Sequence, residues 1–184
     1  MELAGKMLLA MPGMGDPRFE RSVIFLCAHS DEGAMGLIVN RPAPDLSFGQ
    51  LLAQLSIDHA EGAPAPQVHL GGPVEHGRGF VLHSDDYART DATLAVPGGY
   101  GMTATTDVLE DIASGVGPRA ALLALGYSGW GPGQLEGELA ANAWLVGDAH
   151  SDLVFGTDSA GKWGAVLARM GIDPITLSGS AGRA

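Results

Sequence analysis

The feature that most constrains the fold of this chain is its punctuation: 28 glycines and 11 prolines cut every apolar run into short lengths and are nowhere gathered into a linker. Runs of five to eight apolar residues between Gly, Pro, Asp and Asn suit strands and short helices joined by tight turns. They leave no room for a long bundle helix or a membrane span. At 184 residues and 46% hydrophobic, the chain can bury a full core within one domain.

The segments alternate accordingly. Met7–Met11, Ser22–His29 and Met35–Arg41 are strands, the last two forming a hairpin about Ser30-Asp31-Glu32-Gly33. Ser47 followed by Gln50 has the spacing of a capping box and opens a short helix bearing Leu51, Leu52 and Leu55. Gln67–Gly71 and Gly79–Ser84 read as a second hairpin, and Asp91–Val96 with Tyr100–Ala104 as a third. Asp107 is placed to cap a helix over Val108–Ala113 that Gly115 ends. Arg119–Leu125 fits strand or helix, and Gly126–Gly133 is expected to break it. A helix from Gln134 to about Val146, a strand at Asp152–Phe155, and a helix over Ser159–Met170 follow, with a tail from about residue 173. The expected fold is mixed α/β (α+β): a single-domain sandwich of a largely antiparallel or mixed sheet covered by helices.

Charge excludes several functions. With 21 acidic against 10 basic residues the net charge is -11, and the basic residues form no run or stripe, so direct nucleic acid binding is disfavoured. One cysteine, Cys27, permits no internal disulfide, and the six histidines show no spaced ligand set, so neither a metal nor another cofactor is expected. A reducing cytoplasm suits this composition.

Two segments could carry chemistry. Strand alternation places Cys27 and His29 on one face, where an imidazole can stabilise a thiolate; the plainer reading is a buried thiol and a strand-end histidine. Gly126 to Trp144 is the richest stretch. Its glycines precede a helix whose free N–H groups could meet a small anion, yet the spacing matches neither the P-loop nor GxGxxG, and Trp130 stands where the nucleophile elbow GxSxG has glycine. Gln134, Glu138 and Asn142 recur every four residues as a polar stripe, which is a binding face or simply a solvated one. Asn40, closing the third strand, either caps local backbone or points into a cleft.

Taken together, three blocks resemble the YqgE/AlgH family of bacterial proteins. These are Met11-Pro12-Gly13-Met14 to Asp16, Phe19 and Arg21-Ser22-Val23 with Gly33 to Pro42; Gly71-Gly72-Pro73-Val74 with Gly79 to His83; and Leu125-Gly126-Tyr127, Gly129-Trp130, Gly133 to Glu136, Glu138, Asn142 and Trp144-Leu145. The resemblance implies a mixed α/β cytosolic domain described as a transcriptional regulator, with no settled enzymatic activity. Joined to the acidic charge, it implies indirect regulation through a small anionic ligand or a protein partner, at a site including Asn40, Gly129, Trp130, Gly133, Gln134, Glu136, Glu138 and Asn142. The rival expectations are an enzyme using Cys27 with His29, or Glu136 with Glu138 as acid and base, and a direct DNA-binding regulator.

Overall fold

A computed structural model describes residues 2–13 and 15–181. Nine strands form one curled sheet: β1 (Lys6–Ala10), β2 (Val23–Ser30), β3 (Gly33–Ile38), β4 (Val68–Leu70), β5 (Val74–Ser84), β6 (Thr93–Val96), β7 (Tyr100–Thr103), β8 (Ala121–Trp130) and β9 (Trp144–Asp148). Their order is β6-β7-β5-β8-β3-β2-β1-β9, with β4 lying against β8 on the β3 side. Every pairing is antiparallel except β4 with β8. The helices are α1 (Phe48–Gln54), α2 (Thr106–Ser114), α3 (Gln134–Ala140), α4 (Ser151–Val154), α5 (Ser159–Arg169) and α6 (Pro174–Ala181).

Alternation along the strands sorts the core into layers. One face carries Met7, Leu9, Val23, Phe25, Leu37, Leu82 and Leu122 and is covered by Trp163, Val166 and Leu167 of α5. On the other face Leu8, Ile24, Leu26 and Ile38 pack with Leu135 of α3, Trp130 and Trp144. Farther along that outer face Val68, Val81 and Leu123 pack under α1 and α2. The sheet is thus covered on both sides, which is why its central strands are apolar at nearly every position.

Several expected elements form as read. The Ser22–Arg41 hairpin appears as β2 and β3, and the third strand pair as β6 and β7. Ser47 and Gln50 form the reciprocal capping box of α1, and Gly115 ends α2 in the left-handed conformation.

Other expectations are corrected. Gln67–Gly71 and Gly79–Ser84 do not pair as a hairpin, because β8 runs between them. The connection crosses over β8 itself. Gly71 and Gly72 lie against the backbone of Gly126 and Tyr127, where any Cβ would overlap a carbonyl; Gly72 at φ 157 and Gly126 at φ 75 both hold positive angles. The glycines around position 126 therefore serve a chain crossing, and β8 continues through them to Trp130. Helix α3 stops at Ala140 instead of reaching Val146: Asn142 turns left-handed at φ 60, and Trp144 to Asp148 form β9, alternating between the two cores. Asp152–Phe155 is not a strand but overlaps α4, and Thr105, not Asp107, occupies the cap of α2.

Candidate functional site

Helix α3 begins one turn after β8 ends, so Gln134 and Glu138 project back over Trp130. The indole N–H groups of Trp130 and Trp144 both donate to Oε1 of Glu138, at 3.0 and 2.9 Å. The other oxygen, Oε2, accepts from the Gln134 amide at 2.9 Å, and Oε1 of Gln134 accepts from the Gly131 N–H at 3.0 Å. One carboxylate thus ties together the end of β8, α3 and the start of β9. The two indoles meet edge to face at 6.0 Å, and Phe19 packs edge-on to Trp144 at 5.7 Å.

This cluster walls a cleft of about 840 Å³. Gly129, Trp130, Gln134, Glu138 and Asn142, expected at a site from sequence, all line it. Gly133, Glu136 and Asn40 lie outside its lining. Asn40 instead caps backbone: its Oδ1 accepts from Val23 N–H at 3.0 Å and its Nδ2 donates to the Arg21 carbonyl at 2.9 Å. Asn142 shares the cleft without sharing the helix face of Gln134 and Glu138, since it lies beyond the helix end.

The opposite wall comes from the loop around a short 3-10 helix, Pro17–Phe19, and contributes Asp16, Arg18 and Phe19. Asp16 caps that turn and forms a two-pronged pair with Arg18, whose guanidinium holds the Asp16 carboxyl below the usual carboxylate range. Arg41 braces the loop from behind by donating to the carbonyls of Arg18 and Glu20. The sequence signal for this wall was local: Asp before Pro is a helix-start pattern, which marks a turn but not a cleft.

Cys27 and His29 do not form a pair. A bulge between Leu26 and Ala28 inserts one residue into β2 and reverses the alternation beyond it. Cys27 keeps the face of Val23 and Phe25 and packs in the core beneath α5, where burial pushes its thiol up to about 12. His29 turns to the other face, where Nδ1 accepts the Leu3 N–H at 3.1 Å and Nε2 sits 3.5 Å from Oε2 of Glu136. Glu136 and Glu138 also separate, Glu136 facing His29 and Glu138 the indoles.

Further titratable groups lie in the interior. Lys162, 3% exposed, donates to the carbonyls of Val39 at 2.8 Å and Val154 at 2.9 Å, and burial lowers its ammonium to about 8. His69, 2% exposed, is held at about 4 by burial and by the nearby Lys162 charge. Lys162 precedes Val166 by four residues, and that spacing on an apolar stripe was the available signal for its inward position. Among the described residues no group of three or more His, Cys, Asp or Glu is arranged to hold a metal, and no helix is long and apolar enough to cross a membrane.

Comparison with known proteins agrees with this architecture. The AlgH-like family profile matches residues 7–175. A UPF0301 protein of Ruegeria pomeroyi is 61% identical over 185 residues, and one of Cereibacter sphaeroides 59% identical over 184, each alignment covering 100% of both chains. The solution structure of the AlgH protein from Pseudomonas aeruginosa superposes with a TM-score of 0.76 at 39% identity, covering 95% of this chain and 92% of that one. A crystal structure of a Corynebacterium diphtheriae protein gives a TM-score of 0.73 at 25% identity, covering 94% and 88%. The chain belongs to the AlgH-like family.

Proposed function

We propose that this chain is a cytoplasmic binding protein with an indirect regulatory role, recognising a ligand or protein partner in the cleft walled by Trp130, Trp144 and the Asp16–Phe19 loop. The observation that carries this reading is the commitment of the cleft's charged groups to its own walls. Glu138 accepts three hydrogen bonds from Trp130, Trp144 and Gln134, while Asp16 and Arg18 neutralise each other. A carboxylate so engaged serves as a structural anchor, whereas a general acid or base must exchange its proton with a reacting group. The cleft recognises by shape, the half-buried Phe19 ring and exposed backbone. The net charge of -11 supports regulation without contact to DNA.

Native mass spectrometry of the protein taken directly from cells, with crosslinking in the same lysate, tests the reading. The expected result is a bound small molecule or a crosslinked partner attached through the cleft residues. A bare protein with no crosslink at Gln134, Asn142 or the 16–19 loop contradicts it.

A further inference from the structure

We infer that the free edge of β8 at Gly129 is a docking site for an extended, basic segment of a partner protein, which adds to the sheet there and lays successive side chains into grooves on its two faces. The inference deepens the binding role proposed above and rests on it.

The free edge follows from register. Ser30 and Gly33 pair across the two-residue turn Asp31-Glu32, so Gly33 directs its backbone groups to β2 and Ala34 directs its own to β8. Ala34 pairs with Trp130 and Gly36 with Ser128. The Trp130 carbonyl indeed lies against Gly33. The residue between, Gly129, therefore points its N–H and C=O away from β3. On that side β5 pairs with β8 no farther than Val74 opposite Tyr127, because the preceding chain at Gly72 leaves to cross over the strand. Among the described residues no strand residue stands opposite Gly129, which is exposed although it lies inside a strand. The next residue of the same parity, Gly131, already has its N–H capped by Gln134. One donor and one acceptor remain, spaced as a peptide backbone requires.

The surroundings select the occupant. Gly129, Trp130 and Val74 line both the aromatic cleft and a second, shallower groove formed by Met35, Phe80, Leu94, Met102 and Tyr127. Adjacent side chains of an extended strand point to opposite faces, so a peptide paired with Gly129 presents one residue to the cleft and its neighbour to the apolar groove. A compact metabolite would engage only one of the two. Arg18 beside the cleft and Arg78 beside the groove are offset by Asp16 and Glu75, which leaves Glu138 in the one and Glu32 in the other, within a chain of net charge -11; that balance favours a segment carrying Lys or Arg over an acidic one.

The test uses three blocked synthetic peptides: alternating valine and lysine, alternating valine and glutamate, and the valine-lysine peptide N-methylated at every residue, so that neither edge can donate. Amide hydrogen exchange and ¹⁵N shifts are followed by NMR. The expected result is that the valine-lysine peptide slows exchange at Gly129 about tenfold or more. The N-methylated and glutamate peptides should not, and Gly129→Pro should abolish binding while leaving the Trp163 indole signal in place. If that variant disturbs the fold, the N-methylated peptide still probes the same hydrogen bonds from the partner's side. An unprotected Gly129 at millimolar peptide, equal binding of the N-methylated or the glutamate peptide, or shifts confined to other surfaces overturns the inference. A small-molecule extract that shifts the Trp130 and Trp144 indoles when no peptide does leaves the cleft reading standing and removes the strand-addition reading; silence in both experiments removes both.

Discussion

Trp130 and Trp144, on strands at distant places in the sheet order, donate their indole N–H groups to the same oxygen of Glu138. Both indoles are nearly buried, at 7% and 4% exposure, so neither can turn to water for a replacement acceptor. The carboxylate therefore couples the end of β8 to the start of β9 through α3, and it sets the shape of the cleft.

Glu138→Leu should remove this coupling. Two buried donors lose their acceptor, and the expected cost is about 2–4 kcal/mol of unfolding free energy in a denaturant titration. Glu138→Gln retains one acceptor oxygen and should lose less. Equal stability of Glu138→Leu and the parent protein would show that the indoles find other partners.

Cys27 should resist alkylation in the native protein. Its thiol is 2% exposed and raised to about 12 by burial, so almost no thiolate forms near neutral pH. Iodoacetamide labelling is expected to proceed at a rate set by unfolding and to accelerate sharply in denaturant. Native labelling as fast as a free thiol would restore a reactive role for Cys27.

Local signals were readable in the sequence, and contacts between distant segments were not. The Ser47–Gln50 box, the turn at Ser30–Gly33 and the stop at Gly115 each depend on residues within one turn of chain, and each formed as expected. The crossing of Gly71-Gly72 over Gly126 looked like two separate turns, because a glycine needed for close approach is indistinguishable by composition from one needed for a bend. The bulge after Leu26 has no local signature, yet it alone decides that Cys27 and His29 face apart. Most of the cleft's inner wall lay in one stretch and was visible; its outer wall, Asp16 to Phe19, arrives through tertiary packing.

Buried histidines predict acid sensitivity. Burial lowers His69 from an ordinary 6.5 to about 4 and lowers His83 too; the His83 ring is held between the Ser84 carbonyl and the Thr103 hydroxyl, each at 2.8 Å. Between these values the unfolded chain binds protons that the folded chain refuses, so stability present above about pH 6.5 is lost as pH falls toward about 4. His69 contributes at most about 3 kcal/mol to that loss. Urea titrations across this range check it, and His69→Gln should flatten the dependence. An unchanged slope would contradict the assignment.

Lys162 predicts a second rise of the same sign at alkaline pH. Its folded ammonium is lowered to about 8 from 10.5, so in that interval the unfolded chain holds more protons, and stability rises with pH. The rise from this group is at most about 3 kcal/mol. Lys162→Met should abolish it, measured as the difference in unfolding free energy between about pH 7.5 and about pH 10. Persistence of the full rise in the variant would assign it to other groups.

The central claim, that the cleft beside Glu138 is where this protein meets its ligand or partner, is tested most directly by the three indole N–H signals in ¹⁵N NMR as clarified cell extract is added. Trp163 provides the internal control, since its Nε1–H donates to the Ala10 carbonyl at 3.0 Å beneath α5, away from the cleft lining. The expected result is movement of the Trp130 and Trp144 signals while Trp163 stays fixed, with the movement lost in Glu138→Leu. Fixed Trp130 and Trp144 signals in an extract that shifts residues elsewhere would contradict it.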